Sequence, residues 1–250
     1  CDEVPVGLPY NLTWTAGEDG LVDANGVGTG FTMADPPSNR LLEDGAPGNP
    51  RMPGYEPANL TVDTAAGALT ITTNLGIQFR AVNALVNALG VGVNAGTQPL
   101  TIDTTVMNPD IPAPGAQQGG LWFGLDEDNY VKLVLVKASG PNMRNIQLLQ
   151  EVGGETTEVN LPAPIALETG ATVRLIMATN PATTTVSGSY QINDGPVTAL
   201  PAGFSDVPAS FFTGTSLADG TGPVSFAGIF ATHRNSNAPL NFSFEEFRVQ

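Results

Sequence analysis

Cysteine is almost missing from this chain. Cys1 is the single one among 250 residues, so no intramolecular disulfide can form, and the fold has to be held by its core. Charge is also scarce, at 13 % of residues, about half the usual share. Positive charge is scarcer still: 9 Lys and Arg stand against 24 Asp and Glu, for a net charge of −15. A field of that sign repels phosphate backbones and anionic headgroups, which sets nucleic acid aside as a partner. No apolar run reaches the ~18 residues of a transmembrane helix. Aromatic residues make up only 7 %, so stacking surfaces for a ligand are few.

What is abundant is turn and strand vocabulary. There are 29 Gly and 21 Pro, and Thr is frequent. Apolar residues reach 41 %, enough for a sizeable core. Leu60 and Val62 lead through Ala65-Ala66-Gly67 to Leu69 and Ile71, a hairpin with period 2. Leu100, Ile102, Thr104 and Val106 share one face of the next strand. Gly120–Leu125 and Tyr130–Lys137 flank a polar turn at Asp126-Glu127-Asp128-Asn129. Tyr130–Lys137 is apolar on both faces, the mark of a strand buried in the middle of a sandwich or barrel. Within it, Lys132 is expected to extend its ammonium toward the acidic turn. Gly153-Gly154 and Asn193-Asp194-Gly195 are tight-turn signals between later strands. Val224–Thr232 and Leu240–Val249 close the chain. In the last segment Leu240, Phe242, Phe244, Glu246 and Arg248 share one parity, so one face reads as only partly apolar. The best helix candidate is Arg80–Leu89, with Val82, Leu85, Val86 and Leu89 at helical spacing, although its Asn residues weaken it. Residues 35–57 and 201–223 read as long rim loops.

The run Gly119–Leu133, with Leu121-Trp122-Phe123-Gly124-Leu125 before the acidic turn, resembles the central hairpin of laminin G-like and concanavalin A-like jelly rolls. So do Phe226–Thr232 and the closing Phe247-Arg248-Val249. Gly26–Thr32 is similar to the start of related domains in bacterial surface proteins. The resemblance implies an all-β fold: a two-sheet antiparallel β-sandwich of the concanavalin A-like jelly-roll type with long rim loops. Such folds host binding modules, adhesion domains, hydrolases, lyases and structural units, so fold alone does not choose a function.

The ends add an expectation of place. Cys1 stands where a mature bacterial lipoprotein carries its lipid, and Asp2, Glu3 and Pro5 follow it as a short polar tether. The expected organisation is a tether over 1–9 and one sandwich domain over 10–250. The protein is then extracytoplasmic, periplasmic or at the bacterial cell surface, and meets the membrane only through lipid on Cys1. A chain cut from a longer protein is the alternative.

Glycosidases of the resembled fold place two acids close together on one strand face as Glu-x-Asp-x-Glu. That pattern is absent here, and no Gly-x-Ser-x-Gly elbow accompanies His233, the single histidine. Asp19, Asp23 and Asn25 cluster in the Gly-rich stretch 17–30 and form a candidate site for a structural Ca2+, with Asp126 and Asp128 a second one. Trp14 and Tyr55 sit in polar, loop-like contexts and are candidate ligand-stacking residues, with His233 and Arg234 as rim partners. Trp122 is expected in the core. The expectation for function is a non-catalytic carbohydrate-binding or adhesion module whose partner is a glycan. A structural or accessory lipoprotein of an envelope complex, bound to an envelope protein, is the alternative. Its contact patches would be the apolar stretches 208–212 and 111–114. A polysaccharide hydrolase or lyase is the third reading.

Overall fold

The computed structural model describes residues 4–35, 54–80, 82–111, 115–214, 224–234 and 238–250. Its first strands are β1 (Tyr10–Leu12), β2 (Met33–Asp35), β3 (Leu60–Asp63), β4 (Ala68–Thr72), β5 (Gln78–Phe79) and β6 (Val82–Asn83). There follow β7 (Ala88–Val93), β8 (Leu100–Met107), β9 (Gln118–Asp126), β10 (Asn129–Lys137), β11 (Met143–Val152) and β12 (Glu155–Asn160). The last are β13 (Ile165–Ala166), β14 (Thr172–Asn180), β15 (Thr185–Ile192), β16 (Thr198–Ala199), β17 (Ser225–Thr232) and β18 (Asn241–Val249). A single turn of α-helix, α1, covers Ser210–Thr213.

These strands make a two-sheet antiparallel β-sandwich. The first sheet runs β16-β15-β14-β8-β18-β4-β3, with β1 also paired to β18. The second runs β12-β11-β10-β9-β17-β7-β2, with β13 on β11. The small hairpin β5-β6 pairs only with itself. Period-2 alternation sends Ile102, Val106, Val173, Leu175 and Met177 of the first sheet inward against Leu121, Phe123, Leu133 and Leu135 of the second, in one continuous core. Gly153 and Gly154 take φ of 57° and 83°, the paired left-handed conformations that a two-residue hairpin between β11 and β12 requires. The tight turn at Asp126 is held by its own side chain: Oδ1 accepts from the Asp128 N–H and the Asn129 amide, both at 2.9 Å.

The closing strand differs from its sequence parity. The register of β18 against β8 shifts between Phe244 and Glu246. The extra residue moves Glu246 and Arg248 to the outer face and returns Phe247 and Val249 to the core beside Phe242 and Phe244. The Thr104 hydroxyl, facing inward, donates to the Glu246 carbonyl at 2.5 Å and holds the bulge.

The helix expected over 80–89 does not form. This stretch instead carries β6 and the start of β7. Asn87 explains much of the difference. At φ 59° its side chain pairs with the backbone of Glu56 in both directions, each bond 2.9 Å, and so competes with a helical turn. The expected contact patch at 208–212 is also corrected. Phe211 and Phe212 of α1 turn into the core, where the Phe212 ring lies 5.9 Å from Phe123. Ile111 is buried too, and 112–114 lie outside the described residues. Val6 and Leu8, placed in the tether by sequence, pack against the core, and the Val6 N–H bonds the Gly92 carbonyl.

Candidate functional site

The outer face of the second sheet carries a second buried layer. Antiparallel register lines up Glu151 with Tyr130, Lys132 with Trp122, Trp122 with Gly228, and Gly228 with Gly90. The glycines matter because the Trp122 indole lies across them. A Cβ on Gly228 would sit 2.7 Å from the indole nitrogen and 1.8 Å from the Leu89 carbonyl oxygen. With the side chains absent, the indole N–H reaches that same carbonyl oxygen at 3.0 Å. Met33, Val134, Phe226 and Phe230 complete this apolar layer around Trp122.

A polar cluster is set into the layer. The Tyr130 hydroxyl donates to Glu151 Oε2 at 3.0 Å. Glu151 is fully buried, and its Oε1 has no hydrogen-bond partner among the described residues. Burial raises its carboxyl above the ordinary carboxylate range, against the pull of the Arg80 backbone N–H, the Tyr130 hydroxyl and Lys132, while the nearby Asp128 charge adds to the rise. The Tyr130 hydroxyl is pushed up strongly, first by burial and then by Glu151. Lys132 is 3 % exposed. Its ammonium sits 5.7–5.9 Å from the rings of Tyr130, Phe230 and Phe79. Burial, then the Arg234 charge, lower it to about 8, against the opposite pull of Glu151 and Glu158.

Phe79, from the hairpin that belongs to neither sheet, lies over this cluster. Arg80 and Arg234 place their guanidinium carbons 5.0 and 5.2 Å from its ring centre. Both arginines take left-handed backbone angles, φ 58° and 52°, unusual for residues with a side chain.

The expected site residues fall in different places. Arg234 joins the cluster just described. His233 beside it is buried, with Nδ1 2.9 Å from Thr73 Oγ1, and burial lowers its pKa. Trp14, expected at the surface, is fully buried, and its indole N–H bonds the Thr29 carbonyl at 2.8 Å. The Tyr55 hydroxyl is engaged on both sides by Val22, donating to its carbonyl at 2.6 Å and accepting its N–H at 3.0 Å. Asp23 is buried. Its Oδ1 accepts the Asn25 and Val27 N–H groups and its Oδ2 accepts Val62 N–H, all within 2.9 Å. Burial acts to raise its carboxyl, but these bonds together hold it below the ordinary value. Asp19 and Asn25 are exposed on the same loop. Among the described residues no three His, Cys, Asp or Glu side chains gather as metal ligands would. Cys1 lies outside the described residues.

Glu151, Tyr130 and Phe79 were not singled out from sequence. The available signal was a lysine in the middle of a strand apolar on both faces, because such a charge has to find partners on neighbouring strands.

No family model matches the sequence, and no curated protein is similar enough to match it. Solved structures do resemble it. A xylan β-1,4-xylosidase from Bacillus halodurans aligns with a TM-score of 0.59 and 15 % identity, over 78 % of this chain and 35 % of its own. The GH43 protein BlXynB from Bacillus licheniformis aligns at 0.56 and 16 %, over 73 % and 32 %. The xyloglucan-locus GH43B of Bacteroides ovatus aligns at 0.53 and 18 %, over 77 % and 34 %. At these identities the likeness establishes the concanavalin-like β-sandwich as a fold, and the chain spans about a third of the length of these enzymes. The comparison nonetheless overturns the non-catalytic expectation. GH43 glycoside hydrolases recur among the structures that align over about three quarters of the chain, beside a yeast protein of unknown function, so neither the binding-module reading nor the exclusion of an enzyme is carried forward.

Proposed function

We propose that the chain serves polysaccharide hydrolysis, as the β-sandwich portion of a glycoside hydrolase acting on xylan-type or xyloglucan-type chains. The observation that carries this reading is the alignment of about three quarters of the chain with several such enzymes. Within it, the sandwich belongs with the concanavalin A-like and laminin G-like jelly rolls that the Gly119–Leu133 run resembles. Glycoside hydrolysis at neutral pH uses a carboxylic acid that keeps its proton until the leaving oxygen needs it. Glu151 is a carboxyl whose surroundings push it upward. The Tyr130 hydroxyl orients it, and because the side chain is fully buried its effect on hydrolysis would pass through its neighbours.

The test is release of reducing ends from xylan and xyloglucan by the protein in its full encoded length. Release is expected, and Glu151→Gln should cut it by about a hundredfold or more in protein that circular dichroism shows to be folded. A protein that frees no reducing ends from either polymer would end this reading. Undiminished release by Glu151→Gln would remove Glu151 from it.

A further inference from the structure

We infer that Arg80 and Arg234, held over Phe79, form a recognition site for an anionic group carried on a saccharide chain, a uronate carboxylate or a sulfate ester. The substrate setting rests on the hydrolase reading above; the anion chemistry rests on the residues themselves. This chain has only nine Lys and Arg residues. Three of them converge on one phenylalanine ring: Arg80 at 5.0 Å, Arg234 at 5.2 Å and Lys132 at 5.9 Å. In a protein of net charge −15, cations would be expected to spread among the acids. Here they crowd together instead, and Arg234 acts on Lys132 as a repelling neighbour.

The two arginines also lack the partners that would explain them as structural. Neither guanidinium makes an ion pair with a carboxylate among the described residues, whereas Arg174 and Arg248 on the other sheet are both paired with Asp103. Among the described residues the side chain of Arg80 makes a long hydrogen bond, 3.4 Å from Nε to the Thr156 hydroxyl. Arg80 is exposed and Arg234 half-buried, so both reach solvent.

Placement is specific as well. Arg80 lies just after β5 and Arg234 just after β17, on segments distant in sequence. Both spend backbone energy on left-handed angles that bring them to the same ring. Because each guanidinium carbon is about 5 Å from the ring centre, the two are at most about 10 Å apart. Two guanidinium groups gathered at one ring offer an oxyanion paired, charge-assisted hydrogen bonds.

The experiment compares binding of three oligosaccharides of equal length by calorimetry: neutral, uronate-bearing and sulfated. The full-length protein should bind one of the anionic forms at least about tenfold tighter than the neutral one, and that preference should shrink as salt rises from about 50 to 500 mM. Tighter binding of the uronate form identifies a carboxylate as the group; tighter binding of the sulfated form identifies a sulfate. Arg80→Gln and Arg234→Gln should each reduce the preference, and the double variant should abolish it with an unchanged melting curve. Arg174→Gln, on the opposite face, should leave it intact. Equal affinity for all three sugars would overturn the inference, and so would a preference that survives in the folded double variant. Reducing-end release is scored separately. Anion preference without hydrolysis sinks the hydrolase reading and keeps this site; hydrolysis without anion preference does the reverse.

Discussion

The two sheets of this sandwich share one core and turn very different outer faces away from it. The outer face of the first sheet is wet. Thr105, Arg174, Gln191 and Ser189 lie on it half-exposed, with Arg174 at 32 % and Arg248 at 23 %. Its organising group is Asp103, 1 % exposed, which accepts from Arg174 Nε at 3.0 Å and from Arg248 Nη2 at 2.7 Å, while Arg248 Nη1 also reaches Glu246 at 3.1 Å. The outer face of the second sheet is dry over β9, β10 and β17. Trp122, Phe226, Phe230 and Val134 are buried there, and its charged groups Lys132 and Glu151 are buried with them. On the wet face each cation has a paired anion and water nearby, so its energetics are modest. On the dry face the charges are embedded among rings, their pKa values move, and small changes in shape carry large costs. Chemistry is better served by the second situation.

The sharpest break in that comparison should come from shape. Trp122→Ala on the dry face should destabilise the fold by about 3–5 kcal/mol. Gly228→Ala should do comparable damage, because the new methyl would collide with the Leu89 carbonyl and the indole. Urea midpoints at constant m-value would measure both. If either costs less than about 1 kcal/mol, the dry layer is not a packed one.

The next effect is linked to pH. The folded pKa of Lys132, about 8, lies below its ordinary value of 10.5. Between those values the unfolded chain binds more protons than the folded one, so this group makes stability rise as pH climbs from about 8 to 10.5, by at most about 3 kcal/mol. The gain should show as the difference between wild type and Lys132→Met in melting experiments at pH 7 to 10, where the tyrosine contributions cancel.

Asp103→Asn comes third. It leaves two cations facing a neutral amide, and their partial exposure holds the cost to about 1–2 kcal/mol. High salt should narrow the gap to wild type. Smallest is Thr70→Ala, which removes one hydroxyl pair with Ser243 on the wet face and should stay within about 0.5 kcal/mol. A larger loss would mean that the wet face is more tightly organised than its exposure indicates.

Legibility from sequence divides along the same lines. The wet face and the core were readable in β8 and β14, where strict alternation separates Ile102 and Leu175 from Asp103 and Arg174. The dry face was not. A strand apolar on both sides, such as β10, declares that it is covered without saying by what. The helical spacing of Val82, Leu85 and Val86 pointed to the wrong element for a segment that contributes part of the cover. The bulge in β18 left a trace in the slip from Phe244 to Phe247, but alternation alone assigned that slip to the opposite face. Of the candidate site residues, Arg234 reached the cluster, while Trp14 went to the core because it is spoken for by Phe31 and the Thr29 carbonyl.

The sequence by itself determined an all-β chain of short strands and turns, because period-2 patterning and turn residues act over a few neighbouring positions, while the two-sheet expectation came from the resemblance of the Gly119–Leu133 run. It also determined the acidic, disulfide-free character of the molecule. Only the tertiary structure decided which cations would meet at Phe79, which carboxyl would be stripped of water, and which tryptophan would lie on glycine. Those outcomes depend on strands far apart in the chain being brought into register, and no local pattern of residues encodes the distance between them.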